Sequence, residues 1–288
     1  MKKGMMEKIP AFLERLGLDE MPMGILHTDA EPAEGLSPKP SLLPTCERES
    51  RNAIDWGAVF GNFSCVMGHI WRARRKKTAA WFSAERFGCP GGAFWLGFMK
   101  PQTETIIHYV SSGIPGHMEG EYYCESPDAL RRTFREIDPP QVPKKFWVIK
   151  PLNLFGPDEM PEFVTFFTRT EPLAGLHQLV YFVTNDPEAV ASPWGAACAG
   201  LGTWPLKYRE MGKSRAVIGG WDISARKFFR NDELSFTVPC EMFEQMLARY
   251  ESSFLSRENW NTAVKKKIAR SRAAWEKIRK PQTENPQP

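Results

Sequence analysis

The block Cys89-Pro90-Gly91-Gly92-Ala93-Phe94 is where this chain comes nearest to declaring a chemistry. Proline suits the first position of a helix, where its missing N–H would have no partner. Glycines let backbone or ligand come close. A thiol just ahead of a helix start faces free N–H donors and the positive end of the helix dipole, both of which favour thiolate. Cys89 is therefore a candidate metal ligand or nucleophile, and Gly91 and Gly92 are candidates to lie against a bound group. Cys65 stands 24 residues before Cys89 and Cys198 follows it by 109, the latter in a Gly/Ala-rich stretch. Three thiolates drawn from separate segments could hold an iron–sulfur cluster or a thiophilic metal, and proline directly after a ligand cysteine also occurs in cluster-binding loops.

A second candidate is Gly219-Gly220-Trp221-Asp222-Ile223-Ser224-Ala225-Arg226-Lys227. Glycines after a strand permit close approach, Asp222 binds polar groups, and Arg226 could clamp a carboxylate or phosphate in bidentate fashion. His69 lies four residues after Cys65, so on one helix the two would share a face. It is the nearest candidate base for a nucleophilic Cys89. Cys46, Cys124 and Cys240 read as core thiols. No Cys-x-x-Cys pair, Gly-x-Ser-x-Gly elbow, His-Glu-x-x-His motif or Gly-x-Gly-x-x-Gly fingerprint occurs. The commonest zinc, hydrolase, metalloprotease and dinucleotide readings are weakened accordingly.

These residues need elements to position them. Residues 9–19 read as an amphipathic helix and Met21–His27 as a strand. Ile54–Ile70 reads as a helix carrying Cys65 and His69, Ala79–Ser83 as a short strand, and Cys89–Phe98 as a buried helix. Thr105–Val110 reads as a strand. Ser126-Pro127-Asp128 opens a helix to Ile137 with cap, proline and acid in order. Phe146–Ile149 and Phe163–Thr168 read as strands, Gly175–Leu179 as helix and Val180–Thr184 as strand-like. Ala216–Gly220 and Leu234–Val238 are strands, and Pro239-Cys240-Glu241 opens a helix to Tyr250. The elements lack regular βα alternation, so the expected class is α+β, a mixed and largely antiparallel sheet with packed helices. The expected organisation is one domain over residues 1–252, then a basic helix over 259–280 and a disordered end.

The net charge of +4 is concentrated in two runs, Arg72 to Lys77 and the segment from Lys265 to Lys280. Such runs read as solvated faces rather than a nucleic-acid surface. No stretch approaches the length of a membrane span or a signal peptide, which places the expected compartment in the cytoplasm. Six scattered cysteines agree with a reducing compartment.

Leu16-Gly17-Leu18 with the strand that follows, Cys89-Pro90-Gly91-Gly92-Ala93, Cys198, Asp222 to Lys227, Asp232-Glu233-Leu234 and Val238-Pro239 together resemble domain-of-unknown-function family 169 of bacteria and archaea. The resemblance spans roughly residues 9–250, and the Cys-Pro-Gly-Gly block is its most specific mark. Family members typically carry an upstream cysteine, matched by Cys65, and one in the small-residue stretch, matched by Cys198. Many also carry a cysteine near the turn after Gly219, where this chain has Trp221. The resemblance supports the architecture and the sites and implies no reaction.

The leading expectation is a Cys-lined site of Cys65, Cys89 and Cys198 beside Asp222 and Arg226, binding an iron–sulfur cluster or thiophilic metal. It would act on a small anionic substrate. A metal-free enzyme with Cys89 as nucleophile is the alternative from a second class. A non-catalytic ligand-binding or assembly module is the third, with the basic C-terminal helix docking on a protein partner or a second copy.

Overall fold

A computed structural model describes residues 3–62, 64–258 and 260. The expected C-terminal basic helix and disordered end, apart from Trp260, lie outside the described residues. Among the described residues nine strands form: β1 (Met23–Thr28), β2 (Ala80–Phe82), β3 (Gly113–Ile114), β4 (Met118–Glu119), β5 (Phe146–Pro151), β6 (Phe163–Thr168), β7 (Val190–Ala191), β8 (Ala216–Gly219) and β9 (Leu234–Pro239). Seven make one sheet in the order β2-β5-β1-β6-β9-β8-β7, and β3 and β4 form a separate hairpin. Every pair in the large sheet is antiparallel except β7 with β8. The fold is α+β, as the sequence predicts.

Period-two alternation gives the sheet two buried faces. On β6, Val164 and Phe166 enter one core while Phe163 and Phe167 enter the other. The first face is covered by helices Ile9–Leu16, Thr170–Thr184 and Cys240–Arg249. Phe12 meets Phe166, Phe243 and Tyr250 there, edge to face, with centroids 5.4–6.3 Å apart. The opposite face is covered by helix Val66–Lys76, helix Pro90–Trp95 and the turn Ala197–Gly200. All three expected thiol positions belong to this second layer. One residue of the basic run is structural: Arg74 is buried between Glu20 and Glu233, at 2.6–3.0 Å, with its guanidinium 3.9 Å from the centre of the Phe167 ring.

Three local expectations change. Ile54–Ile70 is two helices, Trp56–Asn62 and Val66–Lys76, with Cys65 at the start of the second. Thr105–Val110 is not a strand but the body of a helix, Glu104–Val110. Its first N–H groups are satisfied by the Glu49 carboxylate, at 2.8 Å to Glu104 and 2.9 Å to Thr105, a cap supplied from a distant segment. Val180–Thr184 is the end of the long helix, because Val180 and Val183 bury against the sheet and packing overrides the β-branched preference.

Candidate functional site

Cys65 and Cys89 each stand in extended backbone at the entrance of a helix, and the two entrances touch. The Ser64 N–H donates to the Gly88 carbonyl at 3.1 Å. Gly88 has φ +84°, and an added Cβ would lie 2.6 Å from the Ser64 carbonyl oxygen, so glycine is required for the contact. The Cys89 sulfur caps its own helix, accepting from the Gly92 N–H at 3.2 Å. Cys198 arrives from the far side, in a turn pressed so closely on β8 that a Cβ on Gly200 would stand 3.1 Å from the Gly219 Cα. The small residues flanking Cys198 are what allow that turn to sit on the sheet.

The three cysteines line one cavity of about 700 Å³. Its aromatic wall includes Trp95, Tyr109, Tyr123, Trp194 and Trp221, and its polar groups include Glu121, Asp222 and Lys227. Trp95 and Trp194 pack edge to face at 6.0 Å, and the Trp221 N–H holds Ser192 Oγ at 2.9 Å. Asp222 accepts from the N–H and hydroxyl of Ser224, at 2.9 and 2.8 Å, and its second oxygen accepts from the Ala197 N–H at 3.4 Å. This aspartate therefore ties the turn after β8 to the turn that carries Cys198.

The electrostatics of the cavity are set by burial first and by negative neighbours after it. Burial pushes the Cys89 thiol up to about 12, with Cys65 and Asp222 adding to the rise, while N–H groups of Gly92 and Val66 pull against it. Cys198 is raised by burial and then by Cys89, Cys65 and Asp222. Cys65 is raised by burial and by Asp222, against N–H groups of Gly68 and Met67 and the nearby Lys227. Thus the thiols are protonated at neutral pH, and all three feel Asp222. Among the described residues, no three His, Cys, Asp or Glu side chains are gathered as a site for a metal ion.

Several expected residues do other work. Arg226 does not line the cavity. Its guanidinium donates to the carbonyls of Gly220, Glu233, Arg230 and Asn231 at 2.7–3.1 Å, which closes the loop between β8 and β9 and leaves no fork for an anion. The cavity's cation is its neighbour Lys227. Gly92 serves packing, since a Cβ there would lie 2.4 Å from Val66 Cγ2, whereas Gly91 has nothing within 4 Å and is open. His69 lies outside the cavity lining. Burial and Arg72 depress its pKa to about 4, and its Nε2 sits 2.8 Å from Ser64 Oγ, so it is no base for Cys89.

Sequence reasoning missed Glu121, Tyr123 and Trp194, all from segments outside regular elements. The hairpin β3–β4, whose Gly113 has φ +75° against the Met118 carbonyl, delivers the first two. The closely spaced Gly113, Gly116 and Gly120 were the one available signal of that hairpin.

Among the described residues no helix is long and apolar enough to cross a membrane. No curated protein and no solved structure matches the chain significantly. A family model matches residues 11–249, a span that holds both helix entrances, the Cys198 turn and the Asp222 turn. The chain belongs to that family, DUF169, described as uncharacterised ArCR.

Proposed function

We propose that the protein holds a thiophilic centre, an iron–sulfur cluster or a soft metal ion, on Cys65, Cys89 and Cys198, and receives a small organic molecule in the adjoining cavity. The observation that carries this reading is the lining of one cavity by three remote thiols, where burial first and the negative charge of Asp222 after it hold protons on the sulfurs. A bound cation replaces those protons and offsets the negative charge of Asp222. Backbone N–H groups already aimed at the Cys65 and Cys89 sulfurs are the donors that tune cluster thiolates. The sulfurs are not grouped around a single point, so loading requires the side chains to turn between staggered positions. Such a centre would supply Lewis acidity or electron transfer beside the bound molecule. The chain's own residues supply the rest: Asp222 fixes the Cys198 turn, and the aromatic wall packs against the bound molecule.

Anaerobic isolation followed by iron and sulfide loading tests this. A visible charge-transfer band with bound iron and sulfide is expected, and colourless, metal-free protein after loading overturns the reading. The nucleophile alternative is disfavoured by the same electrostatics. With a pKa of about 12, roughly one Cys89 in 10⁵ is thiolate at pH 7, and no histidine lines the cavity to accept its proton.

A further inference from the structure

The same cavity carries information about its occupant. Seven aromatic side chains line it, and of its charged side chains Glu121 and Asp222 are acidic and Lys227 alone is basic. Neither carboxylate has an ion-pair partner among the described residues. Among the described residues the Glu121 side chain accepts only from the Tyr109 hydroxyl, at 3.3 Å, and it is half-buried. Asp222 faces Glu121 closely enough to raise its pKa, after burial, and reaches Tyr123 as well. The one arginine that could have reversed this balance is turned onto four carbonyls.

Aromatic faces are electron-rich, and a desolvated cation over them is attracted by the ring quadrupole. An anion in the same place would meet ring faces of its own sign and two carboxylates, against the single cation of Lys227. The apolar wall also continues outward: Trp194, Trp221 and Ile223 line the cavity yet are 44%, 52% and 74% exposed, so they form an aromatic and apolar rim. A bare inorganic cation gains nothing from such a rim, whereas a carbon-rich one does.

The geometry points to an organic cation as the cavity's ligand, an amine or quaternary ammonium group between Glu121, Asp222 and the aromatic wall with its apolar part toward Trp194 and Trp221. This inference rests on the reading of the cavity as the place where a small molecule meets the thiols. It replaces the anionic substrate expected from Arg226.

The test uses three probes of similar size on the full chain: benzyltrimethylammonium, 2-phenylethanol and 3-phenylpropionate, followed by calorimetry and tryptophan fluorescence. The quaternary ammonium is expected to bind at least tenfold more tightly than the alcohol, and the carboxylate least tightly. Glu121→Gln should reduce that preference severalfold while the unfolding temperature is unchanged. Lys227→Gln should increase it. Equal or tighter binding of the alcohol or the carboxylate overturns the inference, as does failure of the cation to bind, or a preference that survives Glu121→Gln in folded protein. Iron and sulfide contents of the same samples separate the two ideas. A loaded centre without cation preference removes this inference alone, and cation preference without a centre removes the thiol reading alone.

Discussion

Replacing Gly91 and Gly92 separately by alanine divides packing from access within two adjacent positions. Both sit in the first turn of helix Pro90–Trp95, and neither has positive φ, so alanine is conformationally allowed at each. In a helix interior alanine is favoured over glycine by about 1 kcal/mol, an upper limit in a first turn. At Gly91 a Cβ meets nothing within 4 Å, so Gly91→Ala should be neutral or stabilising by up to that amount. At Gly92 the new Cβ would stand 2.4 Å from Val66 Cγ2, 3.1 Å from the Phe87 carbonyl oxygen and 3.3 Å from the Cys89 sulfur. Ordinary carbon contacts begin near ~3.5 Å, so helix Val66–Lys76 must withdraw by about 1 Å at its first turn. Val66 cannot rotate away cheaply, because β-branching leaves one preferred rotamer in a helix. Overpacking of this kind costs about 1–3 kcal/mol, and the helix gain offsets part of it. The net expectation is a loss of about 0–3 kcal/mol for Gly92→Ala, always about 1–3 kcal/mol below Gly91→Ala. Equilibrium urea unfolding of the two variants beside the unsubstituted protein reads the difference. Equal effects, or a stabilised Gly92→Ala beside a destabilised Gly91→Ala, would refute the packing argument.

Other consequences follow from the buried charges. Arg74→Ala leaves Glu233, 2% exposed, without its buried partner, and should cost about 3–5 kcal/mol in urea unfolding; a loss under 1 kcal/mol would contradict a structural role for this ion pair. Burial acts to raise the Glu162 pKa, but hydrogen bonds from His27 and Arg209 outweigh it and hold the carboxylate at about 2. The folded chain thus binds this proton less readily than the unfolded one, so the stabilisation is complete above about 4.5 and is lost as the pH falls toward 2. The stability gap between the native protein and Glu162→Gln should shrink between pH 6 and pH 3, and a constant gap would count against the linkage. Asp222→Asn keeps a capping side chain but removes a charge that raises Cys65, Cys89 and Cys198. Alkylation of Cys65 should then begin at lower pH than in the native protein, and an unchanged profile would remove Asp222 from the electrostatics.

Much of this site is legible in the residues themselves. Ser126-Pro127-Asp128 marks a helix start, and Ser126 Oγ does accept the Ala129 N–H at 3.2 Å. Strand β6 falls on Phe163–Thr168, where alternation and composition agree. The convergence of three cysteines on one cavity is also visible in outline, because small residues beside each one signal close approach. Arg226 shows where such reading stops. A guanidinium near glycines looks the same in sequence whether it awaits an anion or, as here, is filled by carbonyls from the next turn. Glu49 capping Glu104 is likewise a tertiary event with no local trace. Glu121 and Tyr123 lie beyond a short hairpin, where no periodicity reports which way a side chain faces.

The central claim is that Cys65, Cys89 and Cys198 act together on a thiophilic centre, and it is tested most directly by iron and sulfide content after anaerobic loading of four single variants. Cys240 is the control: it is also buried, its thiol is also pushed up to about 12, and it lies away from the cavity. Cys65→Ser, Cys89→Ser and Cys198→Ser should each lose most of the bound iron, while Cys240→Ser retains it. Retention by all four folded proteins, or equal loss from Cys240→Ser, would contradict the account.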